Sequence, residues 1–272
     1  MSGSTPITPL EPMPPSHADS APAGAAPAAS GQCTSAWARI DYAVATACGL
    51  RHRLNEDAHS PPALAGRLFV VADGVGGGAL ARTASRLLVA RLHRALDGHM
   101  LDAGRISRAV LDADRAIARH LARRGAAPGA ATVALCAPAN RLATNWWIAW
   151  VGDCRVYRIA PALAGREGRA EALTRDDSFR AWGEWPPEGS TPDDPARMVG
   201  NGATSGANVV TCTLAAGELL ALCSDGVHKH VDEPAFGQEL GAPGPLAQRC
   251  EALLALARRN GSTDDATVML LR

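Results

Sequence analysis

The stretch Leu68–Gly78, Leu-Phe-Val-Val-Ala-Asp-Gly-Val-Gly-Gly-Gly, constrains this chain more than any other. Its apolar run, Leu68 to Ala72, reads as a buried strand. The run leads straight into Asp73, and glycines follow. A carboxylate at the end of a buried strand is held on a rigid element yet opens onto a loop, which suits a metal ligand or an acid–base group. Glycines 74, 76, 77 and 78 let the backbone turn with positive φ and admit close approach of a ligand. The plainer alternative is that Asp-Gly makes a turn, its commonest task. The other acids decide between the two.

At 272 residues the chain is one large domain or two small ones. Lys plus Arg equals Asp plus Glu, 27 each, so no net charge favours nucleic acid or an anionic membrane as partner. No apolar segment is long enough to span a bilayer, and the N-terminus lacks the basic-then-apolar pattern of a signal peptide. The seven cysteines, at 33, 48, 136, 154, 212, 223 and 250, are odd in number and form no C-x-x-C. They read as small core residues in a reducing compartment, which places the protein in the cytoplasm.

Residues 1 to 35 are rich in Pro, Ala, Ser and Gly, and read as a disordered tail. Residues 36–272 read as a single domain. Strands are expected at 38–47, 68–72, 131–137, 142–151, 155–159, 209–214, 218–223 and 266–271, with residues 209–223 forming a pair of strands around Ala215-Ala-Gly217. Helices are expected at 80–96, 103–122 and 245–259 from their apolar spacing. Residues 179–208 carry many Gly, Pro and polar positions with little periodicity, a length that in a compact domain is functional or disordered. Alternation along the 142–151 strand puts Trp146 and Trp150 on one face, as core packing rather than a stacking platform. Consecutive strands with helices in pairs between them argue for packed antiparallel sheets covered by helices.

The acids fall at strand ends. Val-Ala-Asp-Gly-Val around Asp73 has a near copy in Cys-Ser-Asp-Gly-Val around Asp225. Asp153 follows a strand, Asp264 and Asp265 precede one, and Glu56-Asp57 adds a fifth locus. Five such loci exceed what turn-making needs. Carboxylates gathered at one sheet edge repel unless a divalent cation neutralises them. Without Cys/His spacing the cation is hard, Mg²⁺ or Mn²⁺. A bridging carboxylate suits two ions roughly 3.5–4 Å apart, an arrangement used for displacement at phosphorus.

The order of motifs resembles the metal-dependent Ser/Thr protein phosphatases of the type 2C (PPM) family. The matching pieces are Asn55-Glu-Asp-Ala58, Val71-Ala-Asp-Gly-Val-Gly-Gly77 with Ala84-Ser85, Ala131-Thr132, Val151-Gly-Asp-Cys-Arg155, Leu173-Thr-Arg-Asp-Asp-Ser178, Leu222-Cys-Ser-Asp-Gly226 and Asp264-Asp-Ala-Thr267. The chain looks most like compact bacterial members, some of which regulate type VI secretion. The resemblance implies an α+β, four-layer αββα sandwich in which two antiparallel sheets lie between helix pairs. It implies hydrolysis of phosphoserine and phosphothreonine on a protein substrate by water, with two or three Mn²⁺ or Mg²⁺ ions, in a monomer opposing a Ser/Thr kinase. By the same resemblance Asp73 bridges two metals, the Gly74 carbonyl binds one, and Asp225 and Asp264 complete the second site. Glu56 contacts metal-bound water, Asp57 supports the site from behind, and Asp153 helps to hold a third ion. Residues 179–208 correspond to the flap beside the active site.

Three positions depart from the family pattern. His52 stands where an arginine usually holds the phosphate, flanked by Arg51 and Arg53. Either an adjacent arginine takes over or the histidine serves as a weaker, pH-sensitive donor. Val75 replaces the histidine that eukaryotic members carry after Asp-Gly, which leaves the leaving-group proton without an assigned source. Asp265 replaces the usual asparagine and adds a charge beside Asp264. His228 and His230 read as surface positions at a helix start or as ligands. The alternative to an enzyme is a catalytically silent phosphatase-like module that binds a partner. If His52 is the weaker donor, His52→Arg raises kcat/KM on a phosphothreonine peptide; an unchanged or lower value excludes that role.

Overall fold

The computed structural model describes residues 28–34, 38–50, 53–61, 67–123, 129–163, 165–202 and 204–272. Arg51 and His52, and residues 1–27 of the expected tail, lie outside the described residues. Eleven strands are described: β1 Ala29–Thr34, β2 Arg39–Ala47, β3 Ala58–His59, β4 Phe69–Val75, β5 Ala130–Pro138, β6 Asn145–Val151, β7 Arg155–Ala160, β8 Arg169–Ala172, β9 Asn208–Thr213, β10 Leu219–Cys223 and β11 Ala266–Leu271. Six helices accompany them: α1 Ala79–Leu96, α2 Ala103–Ala122, α3 Phe179–Trp182, α4 Asp225–His228, α5 Glu233–Gly241 and α6 Leu246–Arg259.

The strands form two antiparallel sheets, a six-stranded one in the order β1-β2-β11-β10-β7-β8 and a five-stranded one in the order β3-β4-β5-β6-β9. Helices α1 and α2 cover the five-stranded sheet, α5 and α6 cover the six-stranded one, and the sheets pack face to face. This is the expected four-layer α+β sandwich. Side chains alternate across a strand, so each central strand feeds two cores at once. Along β4, Val70 and Ala72 face α1 and α2, while Phe69 and Val71 face the other sheet. Along β10, Leu219, Ala221 and Cys223 face α6, while Leu220 and Leu222 face inward between the sheets. That is why the apolar runs are unbroken rather than alternating. Trp146 and Trp150 share the inter-sheet core. All seven cysteines are free, six of them buried and Cys48 half-buried.

Local chemistry sets the helix starts. The Asp102 side chain accepts from the Arg105 amide at the head of α2, and Asp232 accepts from Ala235 at the head of α5. Helix α1 has no capping side chain of its own and starts at Gly78. Its first amide, that of Gly78, donates instead to Glu56 Oε1 from a distant segment.

Four expectations change. Residues 29–34, assigned by composition to the tail, form edge strand β1 against β2. Its stabilisation comes from main-chain pairing, which composition does not register. Strand β4 runs on through Asp73 to Val75, so Asp73 is not past the strand but pairs with Thr132 on β5. Strands β9 and β10 are not partners: β9 pairs with β6 in one sheet, and β10 lies between β11 and β7 in the other. Strand β8 lies where the sequence predicts no strand, and pairs with β7.

Phe69 is fully buried between the sheets, with ring centroids 5.7 Å from Tyr42 and 6.1 Å from Trp146. Phe69→Ala is expected to lower unfolding free energy by about 3–5 kcal/mol in a urea titration.

Candidate metal centre

One cleft of about 380 Å³ opens where the two sheets end, and it is lined by Glu56, Asp73, Asp153, Asp225, Asp264 and Asp265. The two Asp-Gly copies approach it from opposite sheets, Asp73 on β4 and Asp225 at the start of α4 just after β10. In both copies the glycine is required by proximity. A Cβ on Gly74 would lie 2.6 Å from the Ala81 carbonyl group and 2.9 Å from the Glu56 oxygen. A Cβ on Gly226 would lie 1.9 Å from the Asp265 oxygen. Positive φ is needed at Gly76, Gly77 and Gly78, but not at Gly74.

Each acid is held by a different device. Glu56 is pinned through its carboxylate by the Gly78 amide, and its carbonyl accepts from the Ser85 hydroxyl. Asp57 sits behind the cleft, where Oδ2 accepts from Ser224 Oγ at 2.7 Å. That same Ser224 oxygen accepts from the Thr267 amide at 2.9 Å, which ties Asp57 to β11. Asp264 Oδ1 accepts from the Asp265 amide at 2.8 Å. Asp265 turns out to be a scaffold residue. One of its oxygens accepts from Gly49 N and the other from Glu56 N, so it organises the segment that carries Glu56. A carboxylate takes two such bonds with both oxygens, whereas an asparagine side chain has only one oxygen to offer.

Electrostatics reveal the crowding. Burial, together with the charges of Asp225, Asp57 and Asp153, pushes Asp73 well above the ordinary carboxylate range. Burial raises Asp57 to about 8 against the hydroxyls of Thr267 and Ser224. Burial and Asp225 raise Asp153 to about 6, opposed by Lys229. Burial acts upward on Asp225 most strongly, but the Lys229 ammonium, with smaller contributions from His228 and Asp73, holds that carboxyl below its usual value. Lys229 Nζ lies 2.7 Å from Asp225 Oδ2 and 3.1 Å from Asp153 Oδ2.

Among the described residues, no three His, Cys, Asp or Glu side chains already converge as a ligand set. Glu56, Asp73, Asp153, Asp225, Asp264 and Asp265 all line the one cleft. The donors that line the cleft fit a hard divalent cation, since all are oxygens.

Of the expected phosphate-binding residues, Arg53 is exposed and does not line the cleft. Among the described residues that line it, Lys229 is the only cation. His228 is not a surface residue. It is buried, and Nε2 donates to the Asp153 carbonyl at 2.8 Å, fixing the turn that carries Asp153. Burial and the Arg155 guanidinium lower His228 to about 4, so the ring is neutral at neutral pH. Two further residues are absent from the sequence-based set, Lys229 and Asp177. For Lys229 the signal is its place one helical turn after Asp225.

The expected flap also lines the cleft, with Phe179, Pro187, Pro195 and Met198 beside Ser190 and Asp194. Its front half closes on itself. The Ala196 amide donates to the Asp177 carbonyl at 2.7 Å, Arg180 N donates to the Pro192 carbonyl, and the Arg180 guanidinium pairs with Asp193. The buried Asp177 carboxylate holds the base, accepting from Gly152 N at 3.1 Å and from Asn208 Nδ2 at 3.0 Å. The rear half is pinned down, with Val199 bridged to Ala131 and the amides of Gly200 and Gly202 donating to Asp114. The Arg197 guanidinium lies 4.3 Å over the ring of Trp182, while Trp185 is 93% exposed.

This architecture has relatives. PppA of Pseudomonas aeruginosa, a regulatory component of the T6SS, superposes with a TM-score of 0.71 at 24% identity over 86% of this chain and 97% of that one. Mycobacterium tuberculosis PstP superposes with a TM-score of 0.70 at 26% identity over 85% and 97%. A catalytic domain of PstP solved with two manganese ions gives 0.69 at 26% identity over the same shares. In sequence, the M. tuberculosis Ser/Thr protein phosphatase PstP is 30% identical over 245 residues, 85% of this chain. The chain spans 44% of the length of that relative. Residues 50–261 match the family described as Protein phosphatase 2C, a span that takes in every acid lining the cleft except Asp264 and Asp265. Sequence, topology and the acid wall agree, and the chain belongs to the protein phosphatase 2C family.

Proposed function

We propose that this chain hydrolyses phosphoserine and phosphothreonine on proteins, with Mn²⁺ or Mg²⁺ as cofactor and water as nucleophile. The observation that carries the reading is the meeting of Glu56, Asp73, Asp153, Asp225 and Asp264, from separate segments, in one cleft. PstP, solved with two manganese ions, supports the choice of metal.

Asp73, the Gly74 carbonyl, Asp225 and Asp264 would hold the ions, with Glu56 beside them and Asp57 supporting from behind. When bound, the ions supply the charge that lets a water ionise near neutral pH and that offsets the phosphoryl oxygens. The chain's own residues do the rest. The Gly78 amide fixes the Glu56 carboxylate at the head of α1, and Asp265 sets the backbone of Glu56 and Gly49. Phe179, Pro187 and Met198 would give the substrate apolar contacts beside the acids. The buried cysteines take no part, since no covalent phospho-enzyme is needed. We place the activity in the cytoplasm, opposite a Ser/Thr kinase and in a monomer; the free cysteines support a reducing compartment. Among the described residues no helix is long and apolar enough to cross a membrane.

Phosphate release from a phosphothreonine peptide is expected to require Mn²⁺ and to fall about a thousandfold in Asp73→Asn, the worth of several kcal/mol of charge stabilisation. Absent turnover by the wild type would favour the silent module, and metal-independent turnover would overturn the metal-dependent reading. A thermal scan gives a second check. Mn²⁺ at a hundred times its Kd adds about 2.7 kcal/mol of stability to the wild type. Asp73→Asn removes a buried, repelled charge, so it melts higher than metal-free wild type by on the order of 1 kcal/mol and gains less from Mn²⁺.

A further inference from the structure

Of the 27 cationic Lys and Arg residues in this chain, 26 are arginine, and Lys229 is the single lysine. It stands at the acid wall. Its ammonium lies 2.7 Å from Asp225 Oδ2 and 3.1 Å from Asp153 Oδ2, and so joins the acid of one sheet end to that of the other. The Asp153 side chain is almost fully buried, whereas Lys229 keeps 37% of its surface open to the cleft. Two further contacts fix this corner. His228 Nε2 holds the Asp153 carbonyl, and Lys229 continues the short helix that begins at Asp225. A lysine suits the place for a physical reason. An ammonium is a compact point charge on a flexible stem, and fits between two single oxygens where a planar guanidinium fork would demand a carboxylate face.

We propose that the Lys229 ammonium is a resident cation of the site: it clasps Asp153 to Asp225 and occupies their corner in place of a divalent ion, thereby setting how many ions the acid wall takes up. Lys229 is on this account a positioning residue. The proposal rests on the metal-dependent reading above. It separates the acids into two groups. Asp73 and Asp264 are left to divalent ions, with the outer oxygen of Asp225, and Asp153 is already satisfied by the chain itself.

Equilibrium dialysis against Mn²⁺, with bound ion counted per full-length chain, tests it. Lys229→Gln removes the charge and is expected to take up one more Mn²⁺ than wild type. The double variant Lys229→Gln/Asp153→Asn loses one of the two acids at the corner and is expected to return to the wild-type number. Equal counts and equal affinity in wild type and Lys229→Gln would overturn the proposal. Failure of the wild type to bind Mn²⁺ at all would instead overturn the metal-dependent reading. A second measurement needs no substitution at the site. Growth on ¹³C,¹⁵N-lysine labels a single side chain, that of Lys229, and leaves its three N–H donors intact. Its signal is expected to stay at the ion-paired position when the protein is saturated with Mg²⁺. Movement to the position of a free lysine side chain would mean that the divalent ion displaces the ammonium, and would overturn the proposal.

Discussion

Repulsion among carboxylates is the constraint around which this molecule is arranged. Glu56, Asp73, Asp153, Asp225, Asp264 and Asp265 share one cleft, and a buried charge without a partner is among the costliest groups a fold can hold. The structure answers with donors drawn from every layer. Backbone amides serve Glu56 and Asp265, the Ser224 hydroxyl serves Asp57, and one ammonium serves Asp153 and Asp225. Asp73 is pushed well above the ordinary carboxylate range by burial and by the charges of Asp225, Asp57 and Asp153. The acid that the family resemblance makes the bridging ligand is thus one whose charge the protein alone leaves poorly compensated.

The sandwich keeps such a site rigid because its strands are shared between cores. Phe69 and Val70, adjacent in sequence, lie in different cores, so a shift of β4 would disturb packing on both faces at once. Asp73 continues the same strand, in register with Thr132. Packed cores resist continuous deformation, and the carboxylate inherits that stiffness.

Much of this was legible in the sequence. The apolar periodicity marks α2 at its observed bounds and places β10 and β11 within a residue. The repeated Asp-Gly points to a shared cluster, and the cleft brings both copies together. What was not legible depends on space rather than on order. Strands β9 and β10 are joined by a short link, and such a link serves as well to step between stacked sheets, about 10 Å apart, as to turn a hairpin. Strand β1 contributes mainly backbone pairing, and residue types record burial better than pairing. His228 looks like a surface histidine until the turn bearing Asp153 is seen to lean on it. Asp265 looks like an added charge until its two amide partners appear.

The closed base of the flap has a consequence for how such a chain can change. Residues 178–195 leave and re-enter the fold at the Asp177–Ala196 bond, and Asp177 also grips Gly152, the neighbour of Asp153. Closure entropy grows only slowly with loop length, by about 0.6 kcal/mol for each doubling. Insertions or exchanges within the loop therefore weigh little on the stability of the sandwich, provided that Asp177 remains. The part that faces incoming chemistry is in this sense a cassette: its contents, the exposed Trp185 included, can be rewritten while the clasp that seats it stays fixed to the acids below.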